Sequence, residues 1–135
     1  MAVLLDTGIL YAFYDSDDSW HKRSRTLFEA EQHALIVPSP VIPEVDHLLG
    51  SRLGRAAQLA FYQGLSGGHY FIADLPQGKY QRVEELNRQF AQLALGFVDA
   101  AIVAISEALE LPRIATTDRR DFVPLAAALS LQLLP

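Results

Sequence analysis

The sequence lacks several residue types and segments, and each absence excludes a class of protein. There is no cysteine among the 135 residues, which excludes disulfide bonds, thiolate metal sites and a cysteine nucleophile. No apolar run approaches the roughly 18 residues that a membrane helix needs. The first ten residues contain no basic leader, so we expect no signal peptide and a cytoplasmic protein without membrane contact.

Basic residues are in the minority, and the formal net charge is −5. This charge disfavours a nucleic-acid partner, because contact with phosphates usually requires a basic surface. Acidic residues that surround a divalent cation would be neutralised by it, however, and the basic residues occur in clusters. The charge therefore leaves nucleic-acid binding open. The clusters are Lys22, Arg23 and Arg25, then Arg52 and Arg55, then Arg119 and Arg120.

The sequence does contain a regular alternation of short apolar runs and helical patterns, without repeats or linkers. Half of the residues are hydrophobic, which suits one compact domain over residues 1–135. Expected strands cover 2–5, 35–38, 70–73, 113–116 and 130–134. Expected helices cover 7–14, 20–32, 39 or 43 to 53, 55–65, 77–95 and 98–109. We predict that Thr7 caps the first helix and that Gly96 ends the helix over 77–95.

Strands separated by helices favour an α/β fold with a mainly parallel sheet covered on both faces. The predicted architecture is a three-layer α/β/α sandwich with a central sheet of about five strands. In such a sheet, ligands bind outside the carboxyl ends of the strands. Asp6, Glu44 and Asp118 each follow a predicted strand closely, and Asp99 lies in the first turn of a nearly all-apolar helix. These four acids are the candidate catalytic and metal-binding residues.

Four carboxylates in one place would repel one another and bind protons, and a divalent cation removes that conflict. Oxygen ligands suit a hard ion, so Mg²⁺ or Mn²⁺ is expected rather than zinc. Such a site can lower the pKa of a bound water and hold a phosphate.

Each acid taken alone also has an ordinary structural interpretation. Asp6 is a possible helix cap, Glu44 and Asp99 suit the first turn of any helix, and Asp118 suits a solvated turn paired with arginines. Asp74 also follows a strand, and we interpret it as a cap before Pro76. The argument for a metal site therefore depends on the four acids together.

Taken together, these motifs resemble the PIN-domain ribonucleases, and specifically the VapC-type toxins of toxin–antitoxin pairs. The resemblance covers nearly the whole chain. The matching segments are LLDTGILYAF with Asp6, VPSPVIPEVDHLL with Glu44, LGFVDAAIVAISEAL with Asp99 and IATTDRRDF with Asp118. The last segment also matches Thr116 as a supporting residue and gives Asp121 as a fifth candidate acid. Pro43 departs from the pattern, since a helix former is expected before Glu44.

The resemblance implies an endoribonuclease that cuts RNA, such as tRNA or rRNA, with Mg²⁺ or Mn²⁺. It further implies a homodimer and a small cognate antitoxin that binds in an apolar groove. Arg119 and Arg120 flank Asp118 and are the best candidates for contact with a substrate phosphate, with a solvated surface pair as the alternative. Phe13, Tyr14 and Trp20 suit core packing better than a partner groove.

Two other functions are compatible with parts of the pattern. Acid-based phosphoryl enzymes on a similar sheet fit poorly, because haloacid-dehalogenase phosphatases need an acid where Gly8 stands. Response-regulator receivers need a lysine after the fifth strand, and the only lysines are Lys22 and Lys79. The remaining alternative is a catalytically inactive PIN-like module that binds protein or RNA.

Overall fold

The computed structural model describes all residues from Met1 to Pro135 and contains five strands and seven helices. The strands are β1 (Val3–Leu5), β2 (Leu35–Pro38), β3 (Phe71–Ala73), β4 (Arg113–Ala115) and β5 (Gln132–Leu134). The helices are α1 (Thr7–Tyr14), α2 (His21–Ala30), α3 (Ile42–Arg52), α4 (Arg55–Ser66), α5 (Tyr80–Gln89), α6 (Gly96–Leu109) and α7 (Arg119–Leu129). None of these helices is long and apolar enough to cross a lipid bilayer.

The strands form one sheet in the order β3-β2-β1-β4-β5, and every neighbouring pair is parallel. This confirms the predicted α/β class and the sheet of about five strands. Strand β1 lies at the centre, and all three of its residues are fully buried. Strands β2 and β4 pair with β1 on either side, and all three strands are parallel. Their carboxyl ends are therefore neighbours at one edge of the sheet.

Helix α6 is the most buried helix and supplies much of the core. All residues from Ala100 to Ser106 are buried, which matches the prediction from its apolar sequence. Full burial of a side chain such as Ile102 contributes about 1.5–3 kcal/mol, so this helix has little freedom to move. The first turn of α6, with Asp99, is therefore held rigidly by the rest of the helix.

The predicted helix over residues 77–95 is wrong in its extent. A 3₁₀ turn covers Gln77–Lys79, α5 ends at Gln89, and a second 3₁₀ turn covers Ala91–Leu93. The side chain of Asn87 accepts from the Gly96 amide at 2.9 Å and donates to the Gly96 carbonyl at 3.0 Å. Gly96, with φ of 77°, therefore begins α6 instead of ending the preceding helix.

Three further boundaries differ from the sequence prediction. Helix α7 was not predicted, because Pro124 lies inside it and a proline there removes a backbone hydrogen bond. Residues Ser39–Val41 form a 3₁₀ turn, and α3 begins at Ile42, between the two predicted starts at 39 and 43, with Pro43 in its first turn. The cap of α1 is Asp6 and not Thr7, since the Asp6 side chain accepts from the Thr7 amide.

Candidate active site

Asp6 is the central acid of the site and is held by two hydrogen bonds. It directly follows β1, and its Oδ1 accepts from the Thr7 amide at 2.7 Å. Its Oδ2 accepts from the Thr116 hydroxyl at 2.7 Å, and Thr116 is fully buried after β4. A carboxylate with both oxygens bonded in this way has a fixed orientation at the edge of the sheet.

The same two threonines extend the hydrogen bonding to the acids on either side. Thr116 Oγ1 accepts from the Asp118 amide at 2.9 Å, and Thr7 Oγ1 donates to Glu44 Oε1 at 2.7 Å. Asp118 Oδ1 in turn accepts from the amide of Asp121 at 3.1 Å and so caps α7. One continuous set of hydrogen bonds therefore joins Glu44, Asp6, Asp118 and Asp121.

Asp99 reaches this set from the first turn of α6. One carboxylate oxygen from each of Asp99, Asp118 and Asp121 lies within 4.8 Å of those of the other two. Asp6 and Glu44 lie outside this three-acid group and are joined to it through the threonines. The structure thus gathers all four predicted acids, and it places the fifth candidate, Asp121, among the closest three.

The pKa values of three of the acids are raised, mainly by burial and to a smaller extent by the negative charges of their neighbours. Burial raises the pKa of Asp6 to about 6, with smaller contributions from the charges of Asp118 and Glu44. The pKa of Asp99 is raised to about 8. Burial is the largest cause, and the negative charges of Asp6, Asp118 and Asp121 add to it. Burial, followed by the charge of Asp118, raises the pKa of Asp121.

The donor set fits a hard divalent cation. All the acids offer carboxylate oxygen, and Asp121 Oδ1 is buried without a hydrogen-bond partner. The nearest cation is the Arg120 guanidinium, whose Nε is 3.9 Å from that oxygen and therefore beyond hydrogen-bond distance. While Asp99 is protonated, its carboxyl can donate a hydrogen bond to Asp121; once both acids are ionised, a divalent cation is the partner that the surrounding carboxylates favour.

Two features of the site were missed in the sequence. The Thr7 hydroxyl holds Glu44, although the sequence suggested only a capping role for Thr7. Gly8 allows α1 to approach the loop after β4, since a Cβ at this position would lie 2.2 Å from Thr117 Oγ1. A glycine in the second position of a helix that follows a central strand is a weak signal of such an approach.

The two candidate phosphate-binding arginines lie at the start of α7 and are exposed. Arg119 Nη2 donates to the Pro135 carbonyl at 2.7 Å, so one of its donors is used within the chain. The side chain of Arg120 is 84% exposed, and its one charged contact is the 3.9 Å approach to Asp121, which is too long for a hydrogen bond. Arg119 follows Asp118 directly along the chain, and Arg120 is the next residue.

Known proteins resemble this chain in sequence and in fold. Residues 3–127 match the family model described as PIN domain. Ribonuclease VapC26 of Mycobacterium tuberculosis is 28% identical over 120 residues, which cover 89% of each chain.

Solved structures match over nearly the full length. VapC20 of Mycobacterium tuberculosis, described as a Sarcin-Ricin loop cleaving toxin, superposes with a TM-score of 0.84 at 18% identity, covering 99% of this chain and 100% of the other. A toxin-antitoxin complex from Klebsiella pneumoniae gives 0.75 at 19% identity, covering 99% and 97%. FitAcB from Neisseria gonorrhoeae gives 0.66 at 14% identity, covering 98% and 96%. At these low identities the solved structures support the fold alone, whereas the family model covers most of the chain. This protein belongs to the PIN-domain family, with a VapC-type ribonuclease among its relatives.

Proposed function

We propose that the protein is a metal-dependent endoribonuclease and the toxin of a type II toxin–antitoxin pair. The observation that carries the proposal is the set of five acids at one edge of the sheet, three of which have carboxylate oxygens within 4.8 Å of one another. The similarity to a VapC ribonuclease supports RNA as the substrate.

Asp99, Asp118 and Asp121 are the residues best placed to hold Mg²⁺ or Mn²⁺, with Asp6 and Glu44 completing the site. A divalent cation bound there would lower the pKa of a water and neutralise charge on the scissile phosphate. Glu44 is exposed and is anchored on one oxygen only, so its second oxygen remains available to a water or an ion.

The supporting residues keep the acids in place for this chemistry. Thr116 fixes the Asp6 carboxylate and the Asp118 amide together, so that both acids keep one geometry. Arg120, and Arg119 with its remaining donors, are proposed to bind a phosphate of the RNA, because a guanidinium matches the geometry of phosphate oxygens. This preorganisation avoids reorganisation costs during the reaction.

A small cognate antitoxin is proposed as the protein partner, and an apolar groove between α1, α2 and α4 is a suitable surface. The groove has a volume of about 300 Å³, and Phe13 and Phe28 stack within it at 4.5 Å. Phe13, Tyr14 and Trp20 also pack against the core, as the sequence predicted. The toxin–antitoxin complex that shares the fold supports a partner of this class.

A homodimer remains a proposal that rests on the family resemblance. Strand β3 lies at an edge of the sheet, and its side chains Phe71 and Ile72 are 62% and 50% exposed. An apolar edge strand of this kind is usually covered in the working assembly. Light scattering after gel filtration measures the mass: a monomer at every concentration would contradict a dimer.

Cleavage of RNA by the purified chain tests the proposal directly. With Mg²⁺ or Mn²⁺ the chain should cut single-stranded or looped RNA, and EDTA should stop the reaction. Asp118→Asn should lose at least about a hundredfold in kcat, since it removes a ligand from the centre of the site. Asp74→Asn, an acid on the same edge but outside the cluster, is the matched control. A folded protein that binds RNA without cutting it under any metal would indicate the inactive binding module instead.

A further inference from the structure

Two arginine guanidinium groups lie over the ring of Trp20. The Arg23 guanidinium is 3.6 Å from the ring centroid, and that of Arg119 is 5.9 Å from it. Trp20 itself packs against the hydrophobic core, and its amide donates to Asp18 Oδ1 at 2.8 Å. A fixed aromatic ring therefore positions two guanidinium groups that come from distant parts of the sequence.

We name as the basic rim the residues Lys22, Arg23, Arg119 and Arg120, all of which are exposed. The first three form no ion pair with any side-chain carboxylate of the chain, whereas Arg25, on the same helix, pairs with Glu29. The protein as a whole is acidic, so a local group of cations, three of which pair with no side-chain carboxylate, requires an explanation beyond solubility.

The basic rim adjoins the acid cluster. Arg119 follows Asp118 directly, so their Cα atoms are about 3.8 Å apart. Lys22 and Arg23 border a surface cleft together with Pro135, which follows β5, and Arg119 bonds to the same Pro135. Since β4 and β5 are parallel neighbours, this surface continues the edge on which the acids lie.

We propose that the basic rim binds the phosphates of an RNA strand beside the phosphate that is cut, with Trp20 as a positioning residue for Arg23 and Arg119. This inference rests on the proposed function. Stacking on Trp20 restrains the guanidinium groups before RNA arrives, so less side-chain entropy is lost on binding. An RNA strand is a better occupant than an acidic peptide, because a strand that enters the acid cluster must continue over its immediate neighbours.

Arg23→Gln tests the inference, with Arg25→Gln as the matched control on the same helix. The KM for RNA should rise about five- to tenfold in Arg23→Gln with kcat retained, which is the loss of one charge-assisted phosphate contact. The slope of log KM against log salt should fall by about 0.7, as expected for one fewer phosphate on a single strand. Arg25→Gln should leave both quantities unchanged.

Two further variants separate charge from positioning. Arg23→Lys retains the charge, so it should restore the salt slope, but without the stacked planar group it should restore the KM only in part. Trp20→Phe keeps an aromatic ring with a weaker attraction for cations, so its KM should lie between those of the native protein and Arg23→Gln. Trp20→Phe must raise the KM without changing kcat if positioning is its role.

Binding can be followed without cleavage, because Trp20 is the single tryptophan of the chain. In EDTA, titration with single-stranded oligouridylate should change the Trp20 emission, and Arg23→Gln should require five- to tenfold more RNA, the same loss of one contact. Equal affinities of Arg23→Gln and Arg25→Gln would overturn the inference even if the protein cuts RNA. Competition by polyglutamate as effective as that by oligouridylate would overturn the assignment to RNA. If the protein binds RNA in a way that depends on Arg23 but cuts no RNA, the role of the basic rim is supported and the ribonuclease proposal is refuted.

Discussion

Asp99→Asn should stabilise the metal-free protein while abolishing its activity. The Asp99 carboxyl lies in the first turn of a buried helix and faces Asp118 and Asp121. Burial, and then the charges of Asp6, Asp118 and Asp121, raise its pKa to about 8. Asparagine has nearly the same shape and no charge, so it removes the repulsion and the cost of burying a carboxylate.

The pH dependence of this effect has a definite sign. The pKa of Asp99 is about 8 in the folded protein, whereas the ordinary value for aspartate is 3.8. Between these two pH values the folded state therefore holds a proton that the unfolded state has released. The raised pKa leaves the free energy of unfolding unaffected below a pH of about 4, where Asp99 is neutral in both states. As the pH rises from about 4 to about 8, the native protein loses stability, because the folded state must keep its proton or bury a charge. Asp99→Asn cannot ionise and should lack this loss.

The magnitude follows from the same difference. At about 1.4 kcal/mol per pKa unit, a fully desolvated group would lose about 6 kcal/mol across this range. Asp99 is partly open to solvent, and screening by water reduces the expected effect to about 2 kcal/mol. For a domain of this size, that corresponds to a rise in Tm of about 6 °C.

Urea unfolding in EDTA at about pH 5 and about pH 8.5 measures the effect across the window in which the proton is lost. At the higher pH, Asp99→Asn should exceed the native protein by about 2 kcal/mol in unfolding free energy, and the gap should shrink at the lower pH. Mn²⁺ should then raise the Tm of the native protein only, because a ligand that binds the folded state stabilises it. Asp74→Asn should match the native protein throughout.

Two results would refute this reasoning. If Asp99→Asn is no more stable than the native protein at the higher pH in EDTA, the acids do not repel one another as the geometry requires. If Mn²⁺ raises the Tm of native protein and Asp99→Asn equally, the ion binds elsewhere and Asp99 is not a ligand.

Two other substitutions test the supporting residues of the site. Thr116→Val removes the hydroxyl that donates to Asp6, so a buried carboxylate oxygen loses its partner. The variant should lose about 1–3 kcal/mol of unfolding free energy in urea and should have a lower kcat for RNA. Unchanged stability would show that water replaces the hydroxyl. Gly8→Ala should cost about 1–3 kcal/mol through its clash with the Thr117 hydroxyl, and Thr117→Ala should recover most of that loss in a double-mutant cycle. Strictly additive effects of the two changes would contradict a direct clash.

Local patterns in the sequence were sufficient to predict the class of fold. The apolar runs at β1, β2 and β4 and the apolar sequence of α6 reflect burial on both sides, and their positions were predicted to within about two residues. Helix α7 was missed because Pro124 argues against a helix locally, while buried Phe122 and Leu125 hold the helix in place in the folded protein. The helix over 77–95 was predicted too long because its apolar spacing continues past Gln89, and the bonds from Asn87 to Gly96 that replace it join residues nine apart.

The acids divide in the same way. The sequence by itself determined which carboxylates follow the strands, since Asp6, Glu44 and Asp118 are placed by the direction of parallel strands alone. Only the tertiary structure decided that Asp121 belongs with Asp99 and Asp118, and that two threonine hydroxyls hold the remaining acids in line. The reason is physical. The periodicity of a sequence shows which side of a strand or helix is buried. The distances between side chains on different elements are set only when those elements pack together, and the pKa values depend on these distances.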